Sequence, residues 1–330
     1  MRKRALIWSL ATTLVLTLVA GLAGCGSQPA AQAPAKTTLT LYGAGTLAKP
    51  FKAVITAFEA QNPGVTFQDQ YGGSVAMAKK ITDLHQPADL LAVADYHVIP
   101  KYLFGQNGKK SYADWYAGFA ANAITFTYTA KSKGASQIND QNWYQVLAQP
   151  GVQIGRSNPD TDPSGYQTLQ MLQLAEQYYN KPGLSSSILT NAPKTNIRDT
   201  ETELLGALQS GQIDYLAIYR SDAIQNKLEY LKLPDQINLS NPTDAAGYAK
   251  VTAATKNGNL PGAPIIYAIT VTKDSPNQAM AAKFVDFLVS PAGQQIMNNN
   301  GFQALNPAPA FNHNLAPADV QQATTPWTGK

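Results

Sequence analysis

Hydrophobic and polar positions along the chain switch repeatedly between two periods. Thr38-Leu-Thr-Leu-Tyr42 alternates polar and apolar residues, the pattern of a half-buried strand. Gly43-Ala-Gly-Thr46 breaks it. Phe51, Val54, Ile55 and Phe58 then fall at i, i+3, i+4 and i+7, the stripe of an amphipathic helix that Asn62-Pro-Gly64 ends. Residues 65–71 predict a second strand, Gly72-Gly-Ser74 a second break, and a helix through Leu84 follows. Asp89-Leu-Leu-Ala-Val-Ala94 is an apolar run suited to a buried parallel strand. The pattern returns further on. Residues 152–155 predict a strand and residues 158–166 a break, before a helix with Met171, Leu174, Ala175 and Tyr178 on one face. Leu204, Leu205 and Leu208 mark another helix, closed by Ser210-Gly211. Residues 213–219 and 264–271 predict strands, and Met280, Phe284, Phe287 and Leu288 a last helix. This alternation predicts an α/β fold with parallel sheets.

The N-terminal end has a different character. Arg2, Lys3 and Arg4 precede an apolar run that ends at Leu22-Ala23-Gly24-Cys25. That arrangement predicts a secretory signal over 1–24. The run is short for a membrane span of about 20 residues. The ending LAGC resembles the site where bacterial lipoproteins are cleaved and lipidated on Cys, which makes Cys25 the expected lipid anchor to the cell membrane. Cys25 is the only cysteine, so no internal disulfide is available. Residues 25–37 read as the anchored Cys and a flexible linker rich in Ala, Pro, Gln and Ser. The formal charge of +4 therefore changes meaning. Three of the 25 basic residues lie in the signal, which leaves the rest of the chain nearly balanced against 21 acidic ones. No basic patch with interleaved aromatics appears, so nucleic acid is not an expected partner.

Three breaks share one design: Gly45-Thr46, Gly73-Ser74 and Asp162-Pro163-Ser164. Each follows a predicted strand and offers a hydroxyl or carboxylate where a helix begins. Helix N-termini present free backbone N–H groups and partial positive charge, and so suit small anions. In open α/β sheets ligands bind beyond the carboxyl ends of the strands. The same residue types are also ordinary helix caps, with Pro163 at a first helical position. Enzyme signatures are scarce: the chain has no G-x-S-x-G elbow and no P-loop. His85, His97 and His313 are isolated in sequence and read as surface or core residues rather than zinc ligands. Asp160 and Asp162 are neighbours in a turn, and Asp160 reads as a solvated turn residue.

Five motifs in order sharpen the picture: AGTLAKPF (44–51), GGS (72–74), ADLLAVADYHVIP (88–100), GRSNPDTDPSGY (155–166) and ETELLGALQSGQIDYLAIYRSDA (201–223). Together they resemble the tungstate/molybdate-binding proteins of ABC importers, the archaeal-type branch of the molybdate-binding family. The resemblance runs from about Thr38 to about Pro307. It implies a type II periplasmic-binding-protein fold, two α/β lobes joined by two crossing strands with the ligand in the cleft between them. The implied crossings are 123–128 and 264–269, with one lobe over 38–123 plus 263–330 and the other over 124–262. It also implies oxyanion-binding positions at Gly45, Thr46, Ser74, Asp162, Pro163, Ser164, Glu201 and Tyr219. Thr46 stands where the family has Ser, Ser164 where it has Cys, and Gln167 where Arg is usual. Asp162 and Glu201 match the family's direct ligands of the metal centre, which expand the four-coordinate oxyanion to six. Thr46, Ser74, Tyr219 and backbone N–H groups would hold the oxygens.

The resulting expectation is an extracytoplasmic, lipid-anchored, monomeric receptor that passes molybdate or tungstate to a membrane permease and its ATPase. It would need no cofactor and do no chemistry on the anion. Three rivals stand beside it: a receptor of the same fold for sulfate, phosphate or a small carboxylate; a secreted α/β hydrolase or transferase; and a scaffold lipoprotein that binds no anion.

Overall fold

The computed structural model describes residues 36–105, 108 and 110–327. The expected signal over 1–24, Cys25 and most of the linker lie outside the described residues. Two sheets organise the rest. The first is 8-stranded. It contains β1 (Thr37–Ala44), β2 (Val65–Gly72), β3 (Leu90–Val93) and β4 (Tyr116–Ala121). The chain then passes to a 5-stranded sheet of β5 (Ile124–Tyr128), β6 (Ile154–Ser157), β7 (Ile197–Arg198), β8 (Tyr215–Tyr219) and β9 (Glu229–Tyr230), in the order β7-β6-β8-β5-β9. A separate hairpin follows, β10 (Thr252–Thr255) and β11 (Gly258–Pro261). The chain re-enters the first sheet as β12 (Ile266–Val271), between β3 and β4. Strands Gln303–Ala304, Ala308–Phe311 and Thr324–Pro326 complete that sheet's β4 edge.

Both sheets are mixed rather than purely parallel. β1 pairs parallel with β2 and β3, and β6 pairs parallel with β7 and β8. β12 runs antiparallel to both β3 and β4, and β5 antiparallel to β8. The reason lies in the chain path. β4 carries the backbone out of the first sheet and β12, its neighbour, carries it back, so the two must run in opposite directions. The expected crossing segments 123–128 and 264–269 are largely β5 and β12 themselves. The backbone passes between the sheets just before each, at Asn122-Ala123 and at residues 262–265. These two passages touch, because Asn122 N donates to the Ile265 carbonyl (3.1 Å).

The apolar run at β3 shows why the first sheet is buried on both faces. Leu90 and Ala92 join one hydrophobic cluster, while Leu91 and Val93 point into another. Helix α1 (Ala48–Gln61) covers the first face with its Phe51, Val54 and Phe58 stripe, and the helix Gln278–Val289 packs beside it. Their aromatics interlock: Phe284 lies 5.3 Å from Phe58 and 4.9 Å from Phe67, ring centre to ring centre. Helices α2 (Ser74–Thr82) and α3 (Val98–Leu103) cover the other face through Val75, Met77, Ile81 and Ile99.

Local departures from the sequence pattern have physical causes. α2 stops at Thr82, before the exposed Leu84. β6 lies two residues later than expected, which carries Ser157 to the strand's carboxyl end. In the helix Pro163–Tyr178, Met171, Leu174 and Ala175 are buried, but Tyr178 is 50% exposed. Tyr179 turns inward instead, stacks on Tyr144 (4.3 Å between ring centres) and accepts a hydrogen bond from Trp143 Nε1 (3.2 Å).

Candidate functional site

The polar breaks at the carboxyl ends of β1, β2, β6 and β8 face one another. After β1, Gly45-Thr46-Leu47 forms a single 3-10 turn that leads into α1. Thr46 is buried and its hydroxyl is 2.9 Å from the Tyr267 hydroxyl on β12. A Cβ built on Gly45 would lie 3.4 Å from Thr202 Oγ1, so the turn rests against the segment that carries Glu201. After β2, Gly73 precedes α2 and Ser74 is its first residue. Ser74 Oγ is fully buried and accepts from the Ala94 backbone N–H (3.0 Å). Its hydroxyl proton therefore remains available to another acceptor.

The segment 158–162 after β6 is a compact turn. Asn158 Oδ1 accepts from Asp160 N (3.0 Å), and the Asn158 carbonyl accepts from Thr161 N (3.2 Å) and Asp162 N (3.0 Å). It wraps the helix start so closely that a Cβ on Gly165 would lie 2.6 Å from Pro159 N. It also meets the first sheet's side. A Cβ on Gly73 would lie only 2.3 Å from the Thr161 carbonyl oxygen, and Ala76 N donates to that oxygen (3.4 Å). Gly73 has φ −58° and ψ 131°, which any residue adopts, so the close approach and not the backbone angle demands glycine there.

Asp162 occupies the N-cap position of the helix Pro163–Tyr178, yet its side chain caps nothing. It is 3% exposed, and its Oδ2 has no hydrogen-bond partner. The hydroxyl of Ser164, one residue past Pro163, is likewise buried and unpartnered. Glu201 opens a 3-10 turn, but the capping is done by its neighbours. Glu203 Oε1 accepts from the Thr200 backbone N–H (3.1 Å) and hydroxyl (3.0 Å). Glu201 is 1% exposed, and its Oε1 is unpartnered. The Asp162 and Glu201 side chains face each other within hydrogen-bonding range. Tyr219, the last residue of β8, is fully buried and donates its hydroxyl to Gln167 Oε1 (2.7 Å). Thr46, Asp162, Glu201 and Tyr219 thus share one buried region, and Gly45, Ser74, Pro163 and Ser164 stand on the neighbouring breaks. Tyr219 differs from Ser74 in having its proton engaged by a neighbour, and in the Thr46–Tyr267 pair either hydroxyl can donate.

The electrostatics of this volume are unusual. Burial pushes the Asp162 carboxyl up to about 6. Burial first, and the Asp162 charge second, hold Glu201 well above the ordinary carboxylate range. A third acid shares the volume. Asp222, in the first turn after β8, is 2% exposed, has an unpartnered Oδ2, and is pushed up to about 8 by burial and then by Asp162. Among the described residues no lysine, arginine or histidine forms an ion pair with any of the three. A buried carboxylate without a cation resists ionisation. The region therefore combines hydroxyls with acids that form no ion pair and each keep an unpartnered oxygen.

Residues 39–303 match the family model described as bacterial extracellular solute-binding protein. The chain belongs to that family. Among its relatives, the molybdate/tungstate-binding protein WtpA of Thermococcus kodakarensis is 37% identical, over 91% of this chain and 92% of the relative. Among solved structures, the Azotobacter vinelandii periplasmic molybdate-binding protein superposes with a TM-score of 0.60 at 18% identity, covering 80% of this chain and 98% of the other. The sulfate-binding protein SubI of Mycobacterium tuberculosis superposes with a TM-score of 0.58, also at 18% identity, covering 82% and 88%. These likenesses fix the fold of this solute-binding protein as that of the type II periplasmic binding proteins.

Several residues of this solute-binding protein's site carry no local sequence signal. Asn122 Nδ2 donates to Ser221 Oγ (2.8 Å) and to the Tyr267 hydroxyl (3.4 Å), and its Oδ1 accepts from Ala123 N (2.9 Å) and Ser221 N (3.3 Å). It ties both passages between the sheets to the start of the helix that bears Asp222. Asp222 itself had a readable cue, an acid at a helix start directly after a strand. Asp160 is not a solvated turn residue. Its Oδ1 accepts from Lys256 N (2.8 Å) and its carbonyl accepts from Asn257 Nδ2 (2.8 Å). His97 is not isolated in space either. Its Nδ1 is 2.9 Å from Asp95 Oδ1, and Asp95 Oδ2 accepts from the Tyr166 hydroxyl (2.6 Å). Burial is the largest influence on Asp95 and opposes its charge, but the His97 charge and the hydrogen bonds from His97 and Tyr166 together outweigh it and hold the carboxyl below its ordinary value.

Proposed function

We propose that this chain is the extracytoplasmic binding component of an ABC importer for molybdate or tungstate. The observation that carries the reading is the facing pair Asp162 and Glu201, both buried, neither capping a helix, each with an unpartnered oxygen. Ionised carboxylates only accept hydrogen bonds. Two of them facing a bare dianion would repel it. They become favourable when the anion has a metal centre that takes their oxygens as further ligands. Sulfate and phosphate have no such centre. Thr46, Ser74 and Ser164 then serve the anion's own oxygens as hydroxyl donors, together with backbone N–H groups at the helix starts. The 37% identical relative, a molybdate/tungstate-binding protein, supports the same choice.

In this reading, residues 38–123 with 263–330 form one lobe and 124–262 the other, and the paired passages at Asn122-Ala123 and 262–265 act as the hinge. Closure buries the anion without altering it, and the protein hands it as a monomer to a permease driven by an ATPase. Cys25 carries the lipid that keeps the protein at the membrane. Titration calorimetry with molybdate, tungstate, sulfate and phosphate tests the proposal. Tight binding of the first two and weak binding of the others is expected. Equal affinity for sulfate and molybdate would overturn it.

A further inference from the structure

The hairpin β10–β11 belongs to neither sheet. Its base is fastened to the helix that follows Asp162. Gln170 Nε2 donates to the Leu260 carbonyl (2.9 Å), and Gln173 exchanges bonds with the Thr252 carbonyl (3.1 Å) and N–H (3.3 Å). Its tip, Lys256-Asn257, is shaped by local bonds. Asn257 N donates to Thr255 Oγ1 (3.1 Å), that hydroxyl donates to the Gly258 carbonyl (2.8 Å), and Gly258 adopts φ +106°.

Asn257 uses each of its polar groups on a different element. Its Oδ1 accepts from Lys79 Nζ on α2 (2.8 Å). Its carbonyl accepts from Lys101 Nζ on α3 (2.7 Å). Its Nδ2 donates to the Asp160 carbonyl (2.8 Å). Lys256 grips the same aspartate through its backbone N–H (2.8 Å) and its Nζ (3.6 Å from Oδ2). Asp160 lies two residues before Asp162 in one turn, and Lys79 lies on the helix that Ser74 begins. The tip therefore joins the element that carries Asp162 to the element that carries Ser74, from opposite sheets.

We propose that the 256–257 tip is a strap, with Asp160 and Asn257 as positioning residues that hold the Asp162 turn against α2 and set how slowly the anion leaves. The proposal rests on the site reading above. It adds that retention is controlled from outside the buried volume. The tip's own bonds to α2 and α3 run from lysines to neutral acceptors, so parting them strands no opposite charge, and they suit a contact made and released in each cycle. Contacts of this kind act mainly on dissociation, because affinity differences among variants of one site lie mostly in the off-rate.

The test is release of radiolabelled molybdate into excess unlabelled molybdate from the wild-type protein, Asn257→Ala, Asp160→Ala and the double variant Lys79→Met/Lys101→Met, each checked by thermal melting. The off-rate should rise about tenfold in all three variants, the on-rate should stay within about twofold, and the molybdate-to-sulfate affinity ratio should not move. Asp162→Asn should move that ratio, which separates a failed strap from a failed site. Unchanged off-rates in both Asn257→Ala and the double lysine variant would overturn the strap and leave the site reading standing. If the wild-type protein holds neither molybdate nor tungstate, the site reading falls, and X-ray scattering of the ligand-free protein judges the strap: a larger radius of gyration in Asn257→Ala supports it, and an unchanged one overturns it.

Discussion

Asp162 and Glu201 face each other from two separate connections of the second sheet, and among the described residues no lysine, arginine or histidine forms an ion pair with either. Neither is needed by the helix start it stands on. Asp162→Asn and Glu201→Gln should therefore leave melting behaviour near or above that of the wild type, since each removes a buried acid that resists ionisation. Molybdate and tungstate affinity should fall at least about tenfold, or about 1.4 kcal/mol, while sulfate binding changes little or improves. Calorimetry with each anion reads this directly.

The three raised acids predict how stability varies with pH. Burial raises each carboxyl in the folded, ligand-free protein above its unfolded value, so the native state binds more protons than the unfolded chain across that interval. Their full contribution is present below the ordinary carboxylate range of about 4. It is lost as pH rises through about 6 for Asp162 and about 8 for Asp222. The melting temperature of the ligand-free protein should drop between pH 5 and 8.5 by on the order of 5 °C. Asp222→Asn should flatten the upper part of that slope. A melting temperature that climbs across the same range would contradict the assignment.

Gly73→Ala isolates the approach of the two sheets. The backbone angles there suit alanine, and only the Thr161 carbonyl, 2.3 Å from the added Cβ, objects. Unfolding free energy should change by less than about 1 kcal/mol, within the range of substitutions that break no core feature. Anion affinity should drop more than about tenfold, and solution scattering should report a less compact particle in the presence of molybdate.

Phe284→Ala tests the first sheet's core. The ring is fully buried and packs edge-on or tilted against Phe51, Phe58 and Phe67. Its removal should cost about 3–5 kcal/mol in urea unfolding, with anion selectivity in the surviving folded fraction unaltered.

What could be read from the chain follows a physical divide. Elements whose cue is local were visible. Examples are the Phe51–Phe58 stripe, the two-faced Leu90–Val93 strand, the Gly211 helix end with its φ of +84°, and the helix around Phe284. The strand-to-helix breaks were visible too, and with them the neighbourhoods of Thr46, Ser74 and Asp162. Relations across long sequence distances were not. Asp160 reads as an ordinary turn acid until Lys256 and Asn257 appear beside it. Tyr267 and Asn122 come from strand interiors or joints that any α/β protein has. The antiparallel setting of β5 and β12 is hidden as well, because an apolar strand buried on both faces reads the same in either direction. Tyr178 fitted the helical stripe by spacing, yet the helix has run beyond the core by that turn.

Ala121 at the end of β4 is paired directly with Ile266 at the start of β12. In topological terms these strands are two arms of one hairpin, and the whole second sheet, with Asp162, Glu201 and Asp222, is its loop. No strand pair of the first sheet depends on the contents of that loop. A chain built this way can exchange the chemistry on one wall of its binding site while the scaffold that supplies Thr46 and Ser74 keeps its register. One architecture can thus be retargeted from one small anion to another by rewriting a single uninterrupted stretch of sequence.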